Sequence, residues 1–143
     1  MTETQINLMD VLRTRARNQP QTTAYTFINE TTQESLTYQE LLIKVEHMAS
    51  TLQTMGTAGS RALLLLPPGL DYIITFYGCL MAGIIAVPAY PPRGNRHAQR
   101  IAAIIDDAQA ELILTTANVA EQYQFQIKAF AVDEMEVTQP KKF

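Results

Sequence analysis

The sequence predicts an α/β fold: a partial doubly wound, largely parallel sheet with flanking helices. Short apolar runs without polar alternation, at residues 61–66, 84–87 and 112–114, are typical of strands buried on both faces. Segments of helical character separate these runs along the chain. Strands and helices that alternate over short links require crossover connections, and these place the strands parallel.

The N-terminal part is predicted to hold a helix and a hairpin. Leu8, Val11 and Leu12 form a short apolar stripe ahead of Pro20, which indicates an opening helix. Residues 24–28 alternate like a strand, and residues 30–34 are polar and turn-like. Residues 36–38 are predicted to form the second strand of the hairpin.

The clearest helix is predicted to begin at Thr37. The order Thr37-Tyr38-Gln39-Glu40 fits a capping box, in which the threonine oxygen and the glutamate satisfy free backbone N–H groups. Gly56 is predicted to end this helix in a left-handed turn. The apolar stripe consists of Leu41, Val45, Met48, Leu52 and Met55, widened by Leu42 and Ala49.

Residues 70–82 are apolar almost all round, which predicts a buried helix after the Pro-Pro-Gly turn at residues 67–69. The uncharged run 72–92 is long enough to span a bilayer, but Gly78, Gly83 and Pro88 interrupt it. A helix that stops at Gly83 is only about 20 Å long, too short to cross a membrane. We therefore expect no membrane span.

The C-terminal part is predicted to continue the alternation. After a loop with three prolines at residues 88–95, a helix carries Ile101, Ile104, Ile105 and Ala108 on one face. We expect a helix at residues 117–128, a last strand at residues 130–132, and a flexible tail at residues 134–143. Residues 1–143 would then form a single, incomplete N-terminal subdomain.

Composition sets broad limits. A chain of 143 residues with 47% hydrophobic residues is long enough for one domain with a core. The formal net charge of −3 gives no electrostatic case for a nucleic-acid partner. The single cysteine, Cys79, excludes an internal disulfide, and the first residues do not resemble a secretory signal. We therefore expect a cytoplasmic protein.

Most sequence motifs that mark a catalytic or ligand-binding site are absent. The sequence has neither a G-x-x-x-x-G-K-[ST] loop nor a G-x-G-x-x-G after a strand. His47, His97 and Cys79 are too few for a zinc site with four protein ligands. We interpret Cys79 as a core residue rather than a nucleophile, His47 as a surface residue, and His97 as a half-buried structural residue.

Three weaker features have an ordinary interpretation beside a functional one. The 67–69 turn opens a helix whose free N–H groups can hold an anion, but an ordinary tight turn is preferred. Asp133, Glu134 and Glu136 follow the last strand, where carboxylates can hold magnesium, but a solvated acidic tail is preferred. The last feature is a basic cluster at a helix start, where cations oppose the helix dipole: Arg93, Arg96 and Arg100. A phosphate, a carboxylate or a partner surface would account for this cluster, but a solvated basic face is preferred.

Two segments, in this order, resemble the first core motifs of the acyl-adenylate-forming ligases. Residues 36–41 read LTYQEL, similar to L-[TS]-Y-x-E-L, and residues 79–92 read CLMAGIIAVPAYPP, similar to L-x-A-G-x-x-x-V-P. The extension VPAYPPR and the run LLLLPPGLDYIITFYGCL at residues 63–80 are similar to the fatty acyl-AMP ligase branch. The resemblance covers residues 8–116 and, more loosely, continues to residue 133.

The resemblance implies acyl activation. A fatty acid and ATP, with Mg²⁺, would give acyl-AMP and pyrophosphate, and the thiol of an acyl carrier protein would then take the acyl group. The family's lysine-bearing phosphate loop, adenine-binding segment, ribose-binding aspartate and C-terminal lysine have no counterpart here. The resemblance therefore transfers no catalytic, cofactor-binding or metal-binding residue, and it implies a fragment that binds no cofactor and is inactive alone.

The resemblance also suggests where partners would approach. Tyr90, Arg93 and Arg96, in the loop after the second motif and the start of the next helix, are predicted to border the acyl or carrier entrance. The remainder of the ligase is the expected partner. Since a sheet that lacks its next strands leaves an open edge and bare apolar faces, we also expect marginal stability or self-association of the isolated chain. A non-catalytic interaction or complementation module, a fragment of an acyl-CoA ligase, and a small membrane-associated protein remain alternatives.

Overall fold

The computed structural model describes residues 7–135, and this part of the chain holds five helices and six strands. Most of the predicted tail at residues 134–143, including Glu136, lies outside the described residues. The helices are α1 (Leu8–Asn18), α2 (Tyr38–Leu52), α3 (Leu70–Ala82), α4 (Asn95–Ala108) and α5 (Ala117–Gln122). The strands are β1 (Thr23–Ile28), β2 (Gln33–Thr37), β3 (Arg61–Leu65), β4 (Ile85–Ala89), β5 (Leu112–Thr115) and β6 (Lys128–Ala131).

A four-stranded sheet in the order β4-β3-β5-β6 forms the centre of the fold. All three neighbouring pairs are parallel, and α3, α4 and α5 provide the crossover connections between consecutive strands. This arrangement confirms the predicted parallel α/β sheet. It also places the carboxyl ends of all four strands at one edge of the sheet.

The two central strands supply side chains to two separate cores. Ala62 and Leu64 of β3 pack with buried residues of α2 and α3 on one face. Leu63 and Leu65 pack with buried residues of α4 on the other. Because successive side chains point to opposite faces, an unbroken apolar run fills both cores at once. This confirms the prediction of strands buried on both faces for the runs 61–66 and 112–114. Arg61, at the start of β3, is the exception and is exposed.

The predicted hairpin is present as a separate antiparallel sheet of β1 and β2. The side-chain oxygen of Asn29 accepts the backbone N–H groups of Thr31 and Thr32, at 3.0 and 2.8 Å, and thereby holds the turn. The second strand is longer than predicted. It starts at Gln33 because pairing with Ile28 begins directly after the turn.

Helix α1 is present, but its predicted apolar stripe is partly wrong. Leu8 and Val11 are 46% and 41% exposed, and the buried face consists of Met9, Leu12 and Ala16. Helical spacing alone does not show on which side of a helix the rest of the protein lies. This buried face packs against the hairpin and α2 in a third cluster.

The capping box at the start of α2 is confirmed. The Thr37 hydroxyl accepts the Glu40 N–H at 3.1 Å, and the Glu40 carboxylate accepts the Thr37 N–H at 3.1 Å, a bond that lowers the pKa of Glu40. The predicted end is wrong, because α2 stops at Leu52 and Gly56 has no positive φ. The chain leaves the helix through two i→i+3 bonds, and Gly59 takes the left-handed conformation at φ 89°.

Helix α3 ends as predicted at Gly83, which caps it in a left-handed conformation with φ 77°. The prediction that the whole helix is buried is wrong. Its fully buried face consists of small residues, whereas Leu80 is 38% exposed and the other large side chains are half-buried. A helix that is apolar on every side has no sequence signal for which face packs inward. Within residues 7–135, no helix is long and apolar enough to cross a membrane.

Within residues 7–135, strand β4 lies at one edge of the sheet, and it is less buried than predicted. Ile85 is 48% exposed, and the strand runs on through Pro88 to Ala89 instead of ending at Val87. A proline can lie in a strand when its nitrogen faces away from the ladder, which only an edge strand allows. The prediction that Pro88 begins the loop is therefore wrong.

The predicted helix at residues 117–128 is too long. Helix α5 ends at Gln122, and β6 begins at Lys128, two residues before the predicted strand. The missed signal is an alternation with period two, in which Tyr123, Phe125 and Ile127 are half-buried and the residues between them are exposed. Phe125 and Ile127 pack on the α4 side of the sheet, which holds this segment extended.

Candidate functional site

An apolar cleft of about 710 Å³ lies at the carboxyl ends of β3 and β4. In parallel α/β sheets, ligands bind preferentially at this edge. The first turns of α3 form one wall, and the middle of α4 forms another. The cleft is lined by Leu66, Pro68, Gly69, Tyr72, Ile73, Pro88, Ala89, Tyr90, Arg100 and Ile104.

Among the described residues that line this cleft, Arg100 is the one that carries a positive charge. It lies on α4, and its guanidinium Nη2 donates to the backbone carbonyl of Tyr90 at 3.3 Å. The side chain of Tyr90 itself is 79% exposed at the mouth of the cleft. The arrangement offers a long apolar surface beside a single positive charge, which suits an amphiphilic acid better than a polar metabolite.

Two further side chains hold the loop that joins β4 to α4. The Tyr123 hydroxyl accepts the Gly94 N–H at 2.7 Å and lies 3.5 Å from the Pro92 carbonyl. The Nδ1 atom of His97 accepts the Arg93 N–H at 2.9 Å, which requires this nitrogen to be unprotonated. Hydrogen bonds therefore hold the loop backbone at Arg93 and at Gly94. His97 is half-buried, as predicted.

The structure separates the predicted site residues. Tyr90 and Arg100 line the cleft together. Arg93 and Arg96 are exposed in the loop and in the first turn of α4, and neither lines the cleft. Tyr123 was missed by the sequence analysis because it comes from an element far along the chain, and its aromatic alternation with Phe125 was its only signal.

The turn at residues 67–69 does open a helix onto the cleft. Gly69 is the N-cap of α3, without a side-chain cap, and Ile73 makes the first helical hydrogen bond back to its carbonyl at 3.4 Å. Asp71 lies in this first turn, so a negative charge already complements the helix dipole. The preferred interpretation as an ordinary turn remains the simpler one.

Cys79 is a core residue, as predicted. It is fully buried on α3 among side chains of β3 and β5, and burial raises the pKa of its thiol to about 12. A thiol with such a pKa stays protonated near neutral pH and is a poor nucleophile. His47 lies on α2 and His97 on α4.

His47 is not the surface residue that the sequence suggested. It is half-buried, and its Nδ1 atom is shielded from solvent without a hydrogen-bond partner in the described part of the protein. It borders a second cavity of about 230 Å³ between α2 and α3, together with Lys44 and Asp71. The tight packing of α2 on α3 turns this polar side of the helix inward.

The acidic residues after the last strand do not form a metal centre in the described residues. Asp133 accepts the Ala117 N–H at 2.9 Å and so caps α5. Glu134 is exposed, and no group of three or more His, Cys, Asp or Glu residues within residues 7–135 lies close enough to hold a metal ion.

Comparison with protein families gives one match that covers nearly the whole chain. The family described as AMP-binding enzyme matches residues 12–142. This span contains both sequence motifs, the parallel sheet and the cleft.

Curated relatives are longer ligases. The chain is 43% identical over 113 residues to the medium-chain-fatty-acid–[acyl-carrier-protein] ligase JamA of Moorena producens, covering 76% of this chain and 19% of that protein. It is 36% identical over 124 residues to the long-chain-fatty-acid–AMP ligase FadD26 of Mycobacterium tuberculosis, covering 83% of this chain and 21% of the relative. The chain thus spans about a fifth of the length of these relatives.

Solved structures show the same architecture. A fatty acid AMP ligase from Legionella pneumophila superposes with a TM-score of 0.85 at 35% identity, covering 94% of this chain and 26% of that one. A fatty acyl-adenylate ligase from the same organism, in complex with acyl adenylate and pyrophosphate, gives a TM-score of 0.84. The parallel sheet and its helices thus match the corresponding part of adenylate-forming ligases.

Proposed function

The chain belongs to the AMP-binding enzyme family, and from that premise we propose that it forms the N-terminal part of an ATP-dependent fatty acyl-AMP ligase. The complete enzyme would convert a fatty acid and ATP into acyl-AMP and pyrophosphate, and would pass the acyl group to the thiol of an acyl carrier protein. The observation that carries this proposal is the identity of 36–43% to fatty-acid ligases, of which the chain spans about a fifth.

The chain would contribute a binding wall rather than reacting groups. The cleft at the carboxyl edge of the sheet is mainly apolar, and Tyr90 lies exposed at its mouth. Burial of alkyl groups against such a surface stabilises a bound acyl chain by about 0.8 kcal/mol per CH₂ group. Tyr90 and the loop after it would border the entrance for the acyl chain.

The basic residues beside this entrance would favour an acidic partner. Arg93 and Arg96 are exposed, and neither forms a salt bridge within the described part of the chain. Two exposed guanidinium groups near the cleft would raise the association rate of a negatively charged acyl carrier protein. They would act on the approach of the carrier and not on the chemical step.

We assign no step through ATP or magnesium to this chain. Among residues 7–135, no acidic cluster fits a metal ion, and the sequence has no lysine-bearing phosphate loop. The remainder of the ligase would supply the residues that bind ATP and those that bind magnesium. The proposal therefore includes that this chain alone is inactive.

Two other functions compete. The relatives include a protein named for AMP ligation and others named for CoA ligation, so a fragment of an acyl-CoA ligase is the nearest alternative. A non-catalytic complementation module is the other. The exposed apolar side chains of Leu80 and Ile85, at the end of α3 and on β4, favour a protein partner in either case.

A segment exchange tests the proposal. The part of the Legionella pneumophila fatty acid AMP ligase that aligns with this chain is replaced by residues 1–143. We expect this chimera to release pyrophosphate and form acyl-AMP from a fatty acid, and this chain alone to do neither. A folded chimera without activity would contradict the ligase assignment. Activity of the isolated chain would contradict the proposal that it needs the rest of the ligase.

The entrance is tested in the same chimera. Tyr90→Ala is expected to raise KM for long fatty acids more than for short ones. Arg93→Ala with Arg96→Ala is expected to raise KM for the carrier protein and leave kcat unchanged. Arg17→Ala, an exposed arginine on α1, is the matched control. Equal effects of all three changes would disprove that Tyr90, Arg93 and Arg96 border the entrance.

The gene offers an independent test. An open frame after codon 143 that encodes a glycine-rich loop with a lysine supports the ligase fragment. The complete polypeptide is then supplied with coenzyme A. Formation of acyl-CoA would favour the alternative that the chain is a fragment of an acyl-CoA ligase. An immediate stop would favour the complementation module.

A further inference from the structure

Three helices differ in the side chain that accepts a backbone N–H across their first turn. In α1 and α2 this acceptor is a carboxylate at the third helical position, Asp10 or Glu40, which accepts the N–H of the N-cap residue. In α4 the third position is His97, whose Nδ1 accepts the Arg93 N–H at 2.9 Å. An imidazole thus takes the part that a carboxylate takes in a capping box.

The first turn of α4 carries no carboxylate of its own. Its N-cap is Gly94, whose carbonyl accepts the N–H groups of His97 and Ala98 at 3.1 and 3.3 Å. The Gly94 N–H donates to the Tyr123 hydroxyl at 2.7 Å. Two neighbouring amides at the end of the loop are therefore held by different side chains, Arg93 by a histidine and Gly94 by a tyrosine.

Protonation of His97 would remove one of these two bonds. A protonated imidazole has two N–H donors and no acceptor, so its Nδ1 can no longer accept the Arg93 N–H. The new charge would also lie at the N-terminus of α4, where the helix dipole is unfavourable to a cation. Histidine changes its charge between about pH 5 and 8, whereas carboxylates keep theirs to lower pH and phenols do not titrate in this range.

The charged and titratable groups around this turn come from three parts of the fold. Arg93 lies in the loop, and Arg96 and Arg100 lie on α4. Tyr123 contacts the turn from the segment after α5. Within residues 7–135, no carboxylate forms an ion pair with His97 or with these arginines. A charge on the imidazole would therefore gain no ion pair that offsets the loss of its hydrogen bond.

We propose that His97 is a pH-sensitive positioning residue for the loop between β4 and α4. The neutral ring fixes the backbone of Arg93, and with it the exposed side chains of Arg93 and Arg96 beside the cleft. The protonated ring releases this backbone from α4, while Gly94 stays bonded to Tyr123. Weaker binding of an acyl carrier protein at acidic pH is the consequence. This consequence rests on the proposed function, whereas the change in the loop does not.

The order of the loop matters because a partner binds more tightly to groups that are already in place. Arginines on a released loop must be ordered when the carrier arrives, and this ordering opposes binding. The charge on the imidazole acts in the other direction by attracting an acidic carrier. One more exposed charge adds little beside Arg93, Arg96 and Arg100, so the loss of order decides the result.

NMR spectroscopy of the ¹⁵N-labelled chain tests the change in the loop. Between about pH 8 and pH 5, we expect the protection factor of the Arg93 amide to fall about tenfold and that of Gly94 to stay unchanged. His97→Gln, whose side-chain oxygen accepts at every pH, should keep the protection of Arg93 throughout. His97→Ala should lack it throughout, and circular dichroism confirms that each variant is folded.

His47→Gln, which changes the other histidine of the chain, is the matched control and should respond like the parent. Two results would overturn the proposal. One is an Arg93 amide whose protection does not depend on pH in the parent chain. The other is an equal pH response in the parent and in His97→Gln.

The consequence for the carrier is tested in the chimera with the Legionella pneumophila ligase. Over the same pH range, KM for acyl carrier protein should rise about tenfold more in the parent chimera than in His97→Gln, with an unchanged ratio of their kcat values. The same rise in both would exclude the effect on the carrier. A chimera that forms no acyl-AMP contradicts the proposed function, and the NMR measurement then decides on the loop by itself.

Discussion

The hydroxyl groups of Tyr25 and Tyr77 lie 2.5 Å apart and join the β1–β2 hairpin to α3. Their rings are also in contact, with centroids 6.2 Å apart and tilted by 51°. The hydrogen bond links positions 52 residues apart in the chain. It connects the separate antiparallel sheet to the helix that packs on the parallel sheet, beside the apolar cluster that joins the same two parts of the fold.

Tyr77→Phe removes this hydrogen bond and leaves the partly buried Tyr25 hydroxyl without its partner. We expect the free energy of unfolding to fall by about 1 kcal/mol. Urea denaturation followed by circular dichroism measures the change. Tyr90→Phe, at an exposed position, is the control and should have no effect. Equal stability of the parent chain and Tyr77→Phe would show that the bond contributes nothing.

Tyr77 should also lose its proton at a higher pH than an ordinary tyrosine. Burial and then the hydrogen bond to Tyr25 raise the pKa of Tyr77 to about 12, from an ordinary value of 10.0. A raised folded-state pKa gives stability that is fully present below pH 10 and is lost as the pH rises toward 12. The phenolate absorbance of the parent chain minus that of Tyr77→Phe should therefore have its midpoint near 12. A midpoint near 10 would contradict the buried, bonded hydroxyl.

Gly78 sets the close approach of α3 to α2. A Cβ atom at this position would lie 2.5 Å from the Cγ of Met48 and 2.9 Å from its Cβ. Gly78→Ala is expected to lower the free energy of unfolding by about 1–3 kcal/mol, because neither of these atoms is the free end of the side chain. Urea denaturation again gives the value. In a double-mutant cycle, Met48→Ala should recover much of the loss, and simple additivity would exclude the clash.

Tyr123→Phe tests how the loop between β4 and α4 is held. The change removes the acceptor of the Gly94 N–H, so we expect this amide to exchange with deuterium about tenfold faster, as when an opening costs about 1.4 kcal/mol less. Hydrogen exchange followed by NMR measures it. The Ala110 amide, bonded to the Ile105 carbonyl at 3.1 Å, is the internal control. Unchanged exchange at Gly94 would show that other contacts hold the loop.

Local signals in the sequence predict the structure correctly where they depend on neighbouring residues. The capping box of Thr37 and Glu40 is a contact across three residues, and the structure contains both of its bonds. Gly83 ends α3 because a left-handed residue costs glycine little. The candidate site was only partly predictable. Tyr90 follows a predicted strand, whereas the contact of Tyr123 with Gly94 spans 29 residues and has no local signal.

The alternating parallel α/β fold, the family and most element positions can be predicted from the amino-acid sequence, because periodicity, capping and buried runs are short-range properties of the chain. Which side of each element is covered depends on long-range packing. It exposed Leu80 on an apolar helix, turned His47 inward, and placed Pro88 on an outer edge. The physical reason is that burial depends on what packs against a surface, and the packing partners lie far away in the sequence.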